Sequence, residues 1–83
     1  MTMETTNQLF SMLAVLLNTG VANITIDLTR DEIETWDSLA IINLAIALEG
    51  EYRISLKAEE VESLTTVRAV VEILNKHGVR LVN

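Results

Sequence analysis

A chain of 83 residues has room for one small domain. With 49% hydrophobic residues but only one Trp, one Tyr and one Phe, its core must be aliphatic, which favours packed helices over an aromatic-rich sandwich. The 12 acidic and 6 basic residues leave a net charge of −6, which argues against nucleic acid as a partner and for basic protein surfaces, and the absence of cysteine excludes disulfides, thiolate metal sites and a cysteine nucleophile.

The first helix is expected from about Thr5 to Asn18, with Thr5 or Thr6 as its cap. Leu9, Met12, Leu13, Leu16 and Leu17 recur at spacings of three and four and mark one face. Asn18, Thr19 and Gly20 close it. The run Leu9 to Leu17 is too short to span a bilayer. Nothing basic precedes it, and Glu4 stands where a signal peptide carries positive charge. The expectation is a soluble, cytoplasmic, monomeric protein without membrane insertion.

Residues 19–37 form a long connection without helical periodicity. A loop of that length in a compact domain must be packed or functional. Val21, Ile24, Ile26, Leu28, Ile33 and Trp36 can pin it onto the helices. A second reading stays open here. Ile24, Ile26 and Leu28 alternate with polar residues, as do Tyr52, Ile54 and Leu56, so two short strands over 24–28 and 52–56 could pair. Such a ribbon needs helices packed on it.

Ser38 to about Glu49 reads as the second helix, with Gly50 as its stop. A short third helix fits Ala58 to Leu64. Thr65 or Thr66 can cap a fourth running to about Lys76, where Val67, Val70, Val71 and Leu74 follow a helical repeat. His77 and Gly78 end it, and residues 79–83 are expected as a loose tail. Leu13, Leu16, Leu44, Leu48, Val67, Val71 and Leu74 are the expected core.

The segment Trp36-Asp37-Ser38-Leu39 stands after the long loop and at a helix start. It resembles the modification site of acyl and peptidyl carrier proteins, whose attachment serine sits in an Asp-Ser-Leu motif. Residues 39–49 are similar to that family's second helix, Glu51-Tyr52-Arg53-Ile54 to its continuation, and Leu64-Thr65-Thr66-Val67 to the approach to its last helix. The resemblance covers nearly the whole chain. It implies an all-α four-helix bundle of acyl-carrier type, with three main helices, one short helix and a long first loop. It implies a non-enzymatic carrier whose 4′-phosphopantetheine arm, donated by coenzyme A, is attached to Ser38 by a phosphopantetheinyl transferase. Asp37 would cap the helix and be read by the transferase. The arm would present an acyl cargo, as a thioester, to loading and transferring enzymes. Aminoacyl or peptidyl cargo, and an unmodified helical interaction module, are the alternatives.

A serine in a first helical turn is exposed, and the unpaired N–H groups and positive dipole end favour a nearby anion by about 0.3–1 kcal/mol. Asp37 offsets part of that. Trp36 is expected as a packed aromatic on the loop. On the second helix, Ile41, Leu44 and Leu48 lie on one face, and Leu39, Ile42 and Ile46 on a nearly opposite one. The first face can serve the core. The second, with Glu49 at its end, is expected to receive partners. Fatty-acid-synthesis carriers have acids on this helix just after the serine, where this chain has Ala40 and Asn43. Recognition should therefore rest more on apolar contact, as in a specialised fatty acid, polyketide or modified-lipid pathway. Asp31, Glu32 and Glu34 read as a solvated loop, and Glu59, Glu60 and Glu62 as an acidic docking edge. A single histidine, His77, makes no metal site, and no catalytic triad or Gly-rich phosphate loop can be drawn.

Overall fold

The computed structural model describes residues 4–82. Four α-helices make up the body: α1 (Thr6–Leu16), α2 (Ser38–Tyr52), the short α3 (Ala58–Glu62) and α4 (Val67–Lys76). The expected helical architecture is present, with its long first loop between α1 and α2. Among the described residues, no helix is long and apolar enough to cross a membrane.

Local chemistry sets the helix starts. The Thr5 hydroxyl accepts the Gln8 N–H at 3.0 Å, and the Gln8 side chain accepts the Thr5 N–H at 3.2 Å, a reciprocal capping box. The Thr66 hydroxyl accepts the Ala69 N–H at 2.9 Å to start α4. Three helices end in the same left-handed turn. After α1 it is Asn18 (φ 52°), after α2 Arg53 (φ 56°) and after α4 Gly78 (φ 84°). In each, the next residue's N–H reaches back to a carbonyl five positions earlier: Thr19 to Ala14, Ile54 to Glu49, Val79 to Leu74. This Schellman closure satisfies helix-end carbonyls that would otherwise lack partners.

The end of α2 departs from the sequence reading. Gly50 does not stop the helix, which runs on to Tyr52 and turns at Arg53. Tyr52 and Ile54 both pack against the core, and their burial places the turn three residues later than glycine content indicates. Gly50 is therefore an exposed helix-interior glycine, with nothing within 4 Å of where a Cβ would stand. Gly50→Ala is expected to stabilise the fold by about 0.5–1 kcal/mol, measured as a higher urea midpoint at unchanged slope.

The core lies between α1, α2 and α4. Leu9, Leu13 and Leu17 share one buried cluster with Ile41, Leu44 and Leu48 and with Val67, Val70 and Leu74. Leu16 and Val71, expected inside, are half-buried and pack at the rim. The long loop is pinned as its composition requires. Ile24, Leu28 and Trp36 are buried and Ile26 and Ile33 partly so, whereas Val21 is exposed. The loop contains two 3₁₀ turns, Val21–Asn23 and Arg30–Glu32. It is held to the start of α4 by the Arg30 N–H on the Thr65 carbonyl (2.9 Å) and the Val67 N–H on the Leu28 carbonyl (3.0 Å). Segments 24–28 and 52–56 form no ladder with each other, because these bonds direct the first to α4 and residue 52 belongs to α2.

One small ladder joins the two ends of the described chain. β1 (Glu4–Thr5) pairs in parallel with β2 (Leu81–Val82). Residues 79–82 are thus not a loose tail. The left-handed Gly78 turns the chain back, and Val79 and Leu81 pack on the core. Asn83 lies outside the described residues.

Candidate functional site

The site is built around the start of α2. Asp37 is extended (φ −97°, ψ −173°), and its Oδ1 accepts the Ala40 N–H at 2.9 Å. This is the N-cap bond expected of it, worth about 1 kcal/mol. Ser38 is the first residue of α2 and is exposed. The cap uses the Ala40 N–H, so the first-turn N–H groups of Ser38 and Leu39 precede the intrahelical ladder.

The two residues before Asp37 fix where this helix begins. Trp36 is only 1% exposed, and its Nε1–H donates to the Leu64 carbonyl at 3.1 Å. That carbonyl lies in the turn between α3 and α4. The Thr35 hydroxyl donates to the Leu17 carbonyl at the end of α1. Trp36 is the packed aromatic its sequence context indicates. Nothing in the local sequence of Thr35 points to a partner 18 positions earlier.

The two faces of α2 separate cleanly. Ala40, Ile41, Leu44, Ala45 and Leu48 are buried. Leu39 is 65%, Ile42 52% and Ile46 62% exposed. These three start beside Ser38 and span about 10 Å along the helix at 1.5 Å per residue. Glu49 is half-buried, and its Oε2 accepts the Leu56 N–H at 2.8 Å. That bond holds residues 53–57 against the end of α2.

Glu60 corrects the acidic-edge reading. It is 6% exposed and faces inward. Its Oε1 accepts the Lys57 N–H at 2.9 Å, and its Oε2 takes His77 Nε2 at 2.9 Å, with Lys76 Nζ at 3.5 Å. The Lys57 bond is the main cause holding its carboxyl at about 2 against an ordinary 4.5; burial opposes this, and His77 and Lys76 add to the lowering. A carboxyl lowered on folding stabilises the fold fully above the unfolded value, and that contribution is lost as pH falls through the folded one. The Glu60 contribution is therefore expected to disappear between about pH 4.5 and about pH 2. Melting curves taken across that window should fall less steeply for Glu60→Gln than for the parent; parallel curves would contradict the assignment.

No family model matches the chain. A 41-residue stretch is 42% identical to an acyl carrier protein from Buchnera aphidicola subsp. Baizongia pistaciae, covering 49% of this chain and 53% of that protein. The chain thus spans about half the length of the curated relative it matches.

Proposed function

We propose that the chain is an acyl carrier protein: Ser38 bears a 4′-phosphopantetheine arm that holds a carboxylic acid cargo for partner enzymes. The observation that carries this reading is an exposed serine at the Asp37-capped start of α2, in a chain whose described residues form four α-helices and part of which is similar in sequence to an acyl carrier protein. The residues fit the group. The Ser38 hydroxyl is accessible to an enzyme, and the start of α2 favours an anionic phosphodiester. The arm, when attached, supplies a terminal thiol for thioester formation.

In attachment, Ser38 Oγ bonds to the pantetheine-side phosphorus of the coenzyme A pyrophosphate. The bond from that phosphorus to the bridging oxygen breaks, and 3′-phosphoadenosine 5′-phosphate leaves with the electron pair. The serine proton passes to a base of the transferase. The carrier's part is to present Ser38, and the chemistry belongs to the transferase. Incubating the chain with coenzyme A, Mg²⁺ and a broad-specificity phosphopantetheinyl transferase should add one phosphopantetheine to its intact mass. An unchanged mass with active transferase would leave an unmodified interaction module.

Leu39, Ile42 and Ile46 are read as the surface that partner enzymes contact. Their exposure and nearness to Ser38 support this, because an enzyme reaching the cargo must dock near the attachment point. Ala40 is buried and Asn43 is uncharged and exposed, so the strip offers apolar contact without an acidic helix. A specialised fatty acid, polyketide or modified-lipid pathway suits such a surface. Ile42→Asp and Ile46→Asp are expected to change stability by no more than about 1 kcal/mol, yet to slow acyl transfer to or from a partner. Salt should weaken that transfer only modestly in the parent, because screening acts on charges. A melt and a transfer assay on each variant check both halves; loss of fold would assign these side chains to the core instead.

A further inference from the structure

Thr35 and Trp36 immediately precede the Asp37-Ser38 pair, and each side chain bonds a backbone carbonyl on a different part of the molecule. The Thr35 hydroxyl donates to the Leu17 carbonyl, at the C-cap of α1. Carbonyls at a helix end have no intrahelical donor. Those of Ala14 and Val15 are served by the Thr19 and Asn18 N–H groups, and Thr35 serves the carbonyl two residues beyond Val15, from 18 positions away in sequence. Trp36 Nε1–H takes the Leu64 carbonyl at 3.1 Å, with both residues fully buried or nearly so. A buried carbonyl that loses its donor is costly, which makes this bond hard to break. The approach to Ser38 is thus tied on one side to α1 and on the other to the α3–α4 turn.

We propose that Thr35 and Trp36 are positioning residues for the modification of Ser38, forming a two-point tether that holds the start of α2 in one orientation for the modifying enzyme. The inference rests on the carrier reading of Ser38. Neither side chain touches the reacting atoms. Their effect runs through the backbone of Asp37 and Ser38, which directly follow the two anchors. Group transfer demands that the attacking oxygen be aligned with the phosphorus, and small misplacements are expensive in rate. A loosened helix start lowers the fraction of docked complexes in which Ser38 is aligned, while leaving Ile42 and Ile46, about one and two turns further along α2, in place. The turnover term should therefore fall and the KM term should not.

The test uses the full chain, coenzyme A, Mg²⁺ and a broad-specificity transferase, at a temperature where circular dichroism shows each variant folded. Thr35→Val removes the donor and keeps the shape; Trp36→Phe removes the indole N–H and keeps most of the bulk. Each is expected to lower kcat for modification about fivefold or more, with KM within about twofold of the parent, and Thr35→Ser should restore the rate. Amide hydrogen exchange at Ala40 and Ile41, whose N–H groups are bonded to Asp37, should quicken in Thr35→Val and Trp36→Phe and return to the parental rate in Thr35→Ser. Parental kcat in both donor-less variants, or unchanged exchange at those amides, overturns the tether. Failure of the parent itself to accept the arm is failure of the carrier reading. In that case the exchange measurement still decides whether the two residues hold the helix start.

Discussion

Ser38→Ala is expected to fold like the parent and never to gain an arm. Position 38 is exposed, and the cap of α2 is made by Asp37, not by the serine. Alanine is a good helix former, so the change in stability should stay within about 0.5 kcal/mol. The functional effect is all or none, because no other atom can replace Oγ in the phosphodiester. Intact mass after transferase treatment reads it directly. An alanine variant that still gains mass would show that another hydroxyl is the acceptor.

Trp36→Ala is expected to have the largest effect on stability. The indole is among the largest fully buried side chains and sits in the core beside buried leucines. Truncating such a residue costs about 3–5 kcal/mol through lost burial and the cavity left behind. The Leu64 carbonyl also loses its buried donor, adding about 1–3 kcal/mol where water cannot replace it. At about 0.05–0.15 kcal/mol per residue, a domain of this size has a total stability of only some 4–12 kcal/mol. The variant should therefore be largely unfolded, or unfold at much lower urea than the parent. A loss below about 1 kcal/mol would mean the loop is not anchored through Trp36.

The helical body was legible because α1 and α4 combine a capping threonine with apolar residues on one face. Neither feature needs knowledge of the rest of the molecule. The division of α2 into a core face and an exposed face was legible for the same reason: Leu39, Ile42 and Ile46 cannot share a helix face with Leu44 and Leu48. The end of α2 was not. Glycine marks a stop only where a left-handed residue is needed, and tertiary burial of Tyr52 and Ile54 put that residue at Arg53. Glu60 was misread among its acidic neighbours because its partners, Lys76 and His77, come from another helix end. The β1–β2 ladder and the Thr35 bond failed to show for a similar reason, as each joins positions far apart in sequence. At the start of α2, the Asp37 cap was readable from its local motif, whereas the Thr35 and Trp36 bonds that precede it are products of the fold.

Peptide mapping of the transferase-treated parent chain tests the central claim most directly. Trypsin cuts after Arg30 and Arg53, so residues 31–53 form one peptide with Ser38 as its only serine. Ser11 falls in the preceding peptide, and Ser55 and Ser63 fall in the two that follow. The carrier reading requires the added phosphopantetheine on the 31–53 peptide, with fragment ions placing it at Ser38. An arm on Ser11, Ser55 or Ser63, or on no peptide at all, would contradict it.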